Sequence, residues 1–152
     1  RGREDLTAHY AAYSASVRNL GTPVFPRRLF AAMLAAFPQE SDILTVFADG
    51  APIASVLSFY HAGAVMPFWG GGTFAARGRR ANELMYYELM RHAHGRGMER
   101  FDFGRSKTGS GPWEIQEELG LHAAAADLWR MDSTRPRAAR YRSDQRRLCP
   151  PY

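Results

Sequence analysis

Phe101-Asp102-Phe103-Gly104-Arg105-Ser106-Lys107 closes the run of elements from which the fold is read. Phe101 and Phe103 alternate with Asp102, the period of a short strand, and Arg100 to Phe103 is taken as that strand. A Gly-rich basic loop follows, with Gly109 and Gly111 close behind. Such a strand end can offer backbone N–H groups to an anionic ligand, or it can simply be a solvated turn. Working back from it, Gly95 and Gly97 stop a helix that carries Leu84, Tyr87, Leu89, Met90 and Ala93. Asn82 is its expected N-cap, with Glu83 in the first turn. Before the helix comes a loop with Gly70-Gly71-Gly72, Arg77, Arg79 and Arg80. Strands are expected over Ile43 to Ala48, Ile53 to Tyr60 and Ala64 to Trp69, joined at Asp49-Gly50 and Ala62-Gly63. Leu6, Tyr10, Tyr13 and Val17 recur at helical spacing, so Glu4 to Leu20 reads as an amphipathic helix, and Leu29 to Phe37 as a second. Three antiparallel strands, a loop, a helix and a further strand give an α/β (α+β) fold with a mixed, largely antiparallel sheet flanked by helices.

The 152 residues are one domain's worth of chain, with 45% hydrophobic and 23% charged residues. No apolar run is long enough to span a bilayer and no signal peptide is visible. The chain starts Arg1-Gly2-Arg3 without methionine and is read as a fragment, a processed form or a partial reading frame. The lone Cys149 excludes an internal disulfide and a cysteine-built metal site, and fits a reducing compartment. His9, His61, His92, His94 and His122 show no metal-ligand spacing and read mostly as surface residues, so no metal is expected. The net charge of +5 fits a polyanion, a phosphorylated ligand or membrane headgroups.

The loop from Gly70 to Asn82 lies between a strand and a helix N-terminus, a natural anion site, although Gly-Lys-Ser/Thr of a Walker loop is absent. Asp102-Phe103-Gly104 spells the kinase metal triplet, but the catalytic-loop signature of kinases is missing. Ser106 beside Lys107 suits hydrogen bonding to a ligand better than nucleophilic attack. Tyr60, Tyr86 and Tyr87 suit either core or cleft.

Ser16-Val17-Arg18-Asn19-Leu20-Gly21-Thr22-Pro23, Ile53 to Tyr60, Gly70-Gly71-Gly72-Thr73, Asn82-Glu83-Leu84-Met85-Tyr86 and Phe101 to Lys107 occur in one order. Together they resemble the FemAB-related acyltransferases, and within them the branch associated with the PEP-CTERM/exosortase system. The resemblance runs from about Leu6 to Trp113. It implies a tandem GNAT-like protein, of which this chain is most of the second domain and the first is missing. It implies transfer of an acyl or aminoacyl group from acyl-CoA or aminoacyl-tRNA to an amine of a cell-envelope or surface-polymer precursor. No bound cofactor is implied, and the location would be cytoplasmic or peripheral at the inner membrane. On this reading Asp102 and Lys107 are the catalytic candidates. Arg105, Ser106, Tyr60, Gly71, Gly72 and Asn82 bind substrate. The other classes that fit are a non-catalytic GNAT-like binding or scaffold module and a basic nucleic-acid-binding domain.

At Trp113 the family pattern has an aromatic, one residue, then Phe-Lys-Lys-Asn-Trp-Gly-Phe, whereas this chain follows Trp113 with Glu114-Ile115-Gln116-Glu117-Glu118-Leu119-Gly120-Leu121. Codons for Trp113 to His122 exist from which deletion of one G yields Trp-Lys-Phe-Lys-Lys-Asn-Trp-Gly-Phe. Residues 1–113 are therefore expected to be a partial GNAT-like domain, and 114–152 a divergent or frame-shifted, poorly ordered tail. Such a chain would be inactive alone and would leave apolar sheet surface uncovered.

Overall fold

The computed structural model describes residues 2–104 and 129–130. A 3-10 turn over Arg3–Asp5 leads into α1 (Leu6–Asn19), and α2 spans Arg27–Ala36. Strands β1 (Ser41–Ala48), β2 (Ala51–His61) and β3 (Ala64–Gly72) follow, then a single turn α3 (Phe74–Arg77) and the long helix α4 (Ala81–Gly95). Short strands β4 (Arg100–Phe101) and β5 (Trp129–Arg130) complete a sheet of order β1-β2-β3-β4-β5. Only β3 and β4 pair in parallel, so the sheet is mixed and largely antiparallel as the sequence implied. Parallel pairing follows from the connection: a strand, a crossover helix and a returning strand must run the same way.

Both hairpins close on two-residue turns with left-handed backbone, Asp49-Gly50 at φ 51° and 77° and Ala62-Gly63 at 47° and 74°. That geometry matches the strand twist, and it explains why Asp-Gly was legible as a turn. β2 is central and covered on both faces, so Ile53 through Ser58 are all buried without alternation. On one face α1 and α2 place Tyr13, Phe30 and Leu34 against Ile43 and Leu57, with Trp69 at the margin. On the other, α4 places Met85, Leu89 and Ala93 against Leu44, Val56, Val65 and Phe101. No helix among the described residues is long and apolar enough to cross a membrane.

Three expectations are corrected. β3 continues through the glycines to Gly72 instead of ending at Trp69, because neighbouring side chains fill the space their Cβ atoms would take. A Cβ on Gly71 would collide with the side chain of Ser16 on α1. The N-cap of α4 is Arg80, left-handed at φ 50° and ψ 37°, and Asn82 is the helix's second residue. His9 is fully buried rather than a surface residue. It lies three residues after Leu6 and four before Tyr13, on the edge of the apolar stripe, which is the spacing that marks it.

Candidate active site

β3 and β4 are joined at Ala64↔Arg100 and Val65↔Phe101 only. The Asp102 N–H still donates to the Val65 carbonyl at 2.9 Å, and then the strands part. The Asp102 carboxylate accepts the Gly104 N–H at 2.8 Å, closing a turn in which Gly104 takes φ 69°. Phe103 folds back on Phe101 (4.5 Å between centroids) and Tyr86 (5.5 Å). From Met66 to Gly72 the β3 edge away from β2 therefore has no strand beside it among the described residues. The result is a fork with its apex at Val65. Phe68 is an extra residue in β3, since Leu57 faces Trp69 while Ser58 faces Pro67. Pro67 is tolerated there because it faces no ladder acceptor.

At the wide end, the Thr73 N–H donates to Ile53 at 2.8 Å. Antiparallel ladders alternate, so Gly71 turns its N–H toward β2, and Gly70 and Gly72 turn theirs to the open edge. α4 has no side-chain cap, and its first intrahelical bond is Leu84 N–H to the Arg80 carbonyl at 3.1 Å. The N–H groups of Ala81, Asn82 and Glu83 are thus unpartnered among the described residues. A Cβ on Gly72 would lie 2.6 Å from Asn82 Oδ1 and 2.8 Å from the Ala76 Cβ, so the glycine lets both elements close on β3. Asn82 Oδ1 and Thr73 Oγ1 are buried at this junction with no hydrogen-bond partner among the described residues. Arg79 holds Asp49 at 2.6 Å in an exposed pair, which a phosphate can replace at little cost. Arg77 lies over the Phe74 ring at 5.7 Å. Positive helix end, orphaned N–H groups and loop arginines together make an anion cradle.

The structure brings Gly71, Gly72 and Asn82 together at this end, with Gly72 rather than Gly71 facing the cradle edge. Asp102 stands near the apex and holds the turn by which β4 leaves. Asp102→Ala should cost about 1 kcal/mol through loss of that turn, read as a fall in the midpoint of urea unfolding. Arg105, Ser106 and Lys107 lie outside the described residues. Tyr60 is elsewhere: it faces Val65, seven residues along β3 from Gly72, or roughly 23 Å at strand rise. Its hydroxyl donates to Asp42 Oδ1 at 3.0 Å, and His92 Nε2 lies 3.2 Å from Asp42 Oδ2. Arg96 packs over the Tyr60 ring at 3.9 Å. This is a half-buried clamp of β1, β2 and the end of α4. Tyr60→Phe should lower stability by about 1–2 kcal/mol and leave donor affinity unchanged within twofold, checked by thermal melting and calorimetric titration. Among the described residues no group of three or more His, Cys, Asp or Glu is placed to hold a metal.

The sheet is thus forked among the described residues, with an anion cradle at its open end. The model of the acetyltransferase (GNAT) domain matches residues 1–114, and the chain belongs to that family. No curated protein matches its sequence. The fold is similar to the ribosomal-protein-S18-alanine N-acetyltransferase of Escherichia coli, at 13% identity and TM-score 0.64, over 78% of this chain and 72% of that one. It is similar to AAC(6')-Iy in complex with a bisubstrate analogue, at 14% identity and TM-score 0.65, over 87% and 95%. It is also similar to the PaiA N-acetyltransferase of Thermoplasma acidophilum in complex with coenzyme A, at 10% identity and TM-score 0.59, over 76% and 82%.

Proposed function

We propose that this chain is the donor-binding half of a FemAB-type N-acyltransferase that acylates an amine of an envelope or surface-polymer precursor. The fork supports the reading most directly: among the described residues it leaves one strand edge free beside a helix N-terminus with no side-chain cap. The donor phosphates sit on the N–H groups of Ala81, Asn82 and Glu83. Its thioester arm lies along the open β3 edge, where the Gly70 and Gly72 N–H groups hydrogen-bond the arm and fix its position. The acceptor nitrogen attacks the thioester carbonyl carbon. The C–N bond forms, the C–S bond breaks, and the departing thiolate takes up the proton that the amine loses. Orientation and stabilisation of the oxyanion are the chain's contributions. Arg105, Ser106 and Lys107 follow the turn held by Asp102 and are assigned to the acceptor or donor phosphate.

The test is thiol release from acetyl-CoA with and without an amine panel, beside calorimetric binding of acetyl-CoA. Amine-dependent thiol release supports the reading. Acetyl-CoA binding without release makes the chain a binding module. Retention of aminoacyl-tRNA in place of acetyl-CoA changes the donor class, and steeply salt-dependent binding of any RNA favours the nucleic-acid reading. The family match ends at residue 114, where a reading-frame slip is also proposed, and resequencing across the Trp113 and Glu114 codons tests that.

A further inference from the structure

On the α2 side of the sheet a groove of about 500 Å³ runs from Met66, Phe68 and Trp69 of β3 across Phe59 of β2 to Phe37 and Glu40. Met66 faces Phe59 across the ladder, and cross-strand partners share a face, so the groove begins at the open edge of β3 one residue past the apex of the fork. The extra residue at Phe68 brings two successive rings to this face. Phe59 makes edge contacts with Phe68 at 5.5 Å and Trp69 at 6.2 Å, and with Phe37 at 5.6 Å. Phe37 and Phe68 remain 43% and 59% exposed, so the rings line the groove without filling it. The far end lies at the start of β1, where Glu40 is exposed at the rim and its carbonyl accepts the Tyr60 N–H at 2.7 Å. From the open β3 edge to that rim is two strand spacings, or about 10 Å.

We infer that this groove holds the acyl tail of the donor, and that the preferred donor is a straight-chain acyl thioester of about eight carbons, the zigzag that spans about 10 Å. The inference rests on the donor reading above, which runs the thioester arm along β3 from Gly72 past Gly70 toward the apex. A tail carried beyond the carbonyl on that line comes next to Trp69, Phe68 and Met66, and it has no strand to cross before the groove opens. Each further methylene then leaves water for the rings of Phe68, Phe59 and Phe37, so affinity rises with length. A tail that outgrows the rim returns to solvent beside Glu40 and gains nothing more. The same carboxylate disfavours a tail that ends in a negative charge.

Calorimetric titration with acetyl-, butanoyl-, octanoyl- and dodecanoyl-CoA is the test. Affinity should rise at least tenfold from acetyl to octanoyl and then level off, with dodecanoyl-CoA within threefold of octanoyl-CoA. Phe37→Ser and Phe68→Ser replace exposed rings and should each cut the advantage of octanoyl-CoA over acetyl-CoA fivefold or more without moving the melting temperature. A rise that continues unchecked through dodecanoyl-CoA, or an advantage indifferent to both substitutions, overturns the inference. A dimer in light scattering that Phe68→Ser dissociates makes the groove a face between two copies and overturns it as well. Acetyl-CoA binding with no gain from a longer tail overturns the groove and leaves the donor reading standing. Failure of all four thioesters to bind overturns the donor reading and the tail site with it.

Discussion

Gly72→Val is expected to weaken acetyl-CoA binding at least tenfold and to lower stability by about 1–3 kcal/mol, the usual range for overpacking. The reason is geometric. Even a methyl group at Gly72 would stand 2.6 Å from Asn82 Oδ1 and 2.8 Å from the Ala76 Cβ. Ala76 belongs to α3 and Asn82 to the first turn of α4, so relief comes only by pushing both away from β3. That displaces the N–H groups of Ala81 to Glu83 from the open strand edge and breaks the cradle. Gly78 provides the control, because nothing lies within 4 Å of a Cβ there. Gly78→Ala should change neither quantity. Calorimetric titration with acetyl-CoA and thermal melting of the two variants give the comparison. Equal affinities would mean that donor binding does not depend on how α4 seats on β3.

The second large effect is an acid instability centred on His9. The ring is fully buried between Tyr13, at 5.8 Å in a stack, and Phe30, at 5.5 Å edge-on. Nδ1 lies 3.0 Å from Ser55 Oγ, which donates to the Leu44 carbonyl at 3.1 Å. Ser55 Oγ also lies 2.9 Å from Thr45 Oγ1, and His9 Nε2 has no hydrogen-bond partner among the described residues. Burial disfavours the imidazolium and pushes the His9 pKa down from 6.5 to about 4. The folded state therefore binds this proton less tightly than the unfolded chain. Stability is full above pH 6.5 and falls as the pH drops toward 4, by on the order of 3 kcal/mol. Urea unfolding at pH 7.5, 5.5 and 4.5 measures the slope. His9→Phe keeps the aromatic packing and should flatten it. An unchanged slope in that variant would place the acid sensitivity on other groups.

Much of this architecture was legible in the sequence, for identifiable reasons. Asp49-Gly50 marked the first hairpin because few residues accept two successive left-handed conformations. The strand, helix, strand order from Ala64 to Phe103 carried the mixed sheet. Gly70-Gly71-Gly72 was legible as a break, yet it is strand, because its backbone is extended and its missing side chains are replaced by Ser16, Ala76 and Asn82 from elsewhere in the chain. Such tertiary complementarity leaves no local pattern. Asn82 looked like a cap by type, but the loop arrives in a left-handed turn at Arg80 and starts the helix two residues earlier. Tyr60 reads equally as core or cleft, and only the fold shows it bonded to Asp42, far from the glycines. The aromatic groove draws on α2, β2 and β3, so no single stretch of sequence spells it. His9 was within reach, since its spacing from Leu6 and Tyr13 already put it against the core.

The most direct test of the account is amide hydrogen exchange of the chain with and without acetyl-CoA, resolved to single residues. Donor-dependent protection is expected at Gly72, Ala81, Asn82 and Glu83, and none at Tyr60 or along the outer strand β1. Saturable acetyl-CoA binding that leaves those four amides unchanged would contradict it and would move the donor site away from the fork.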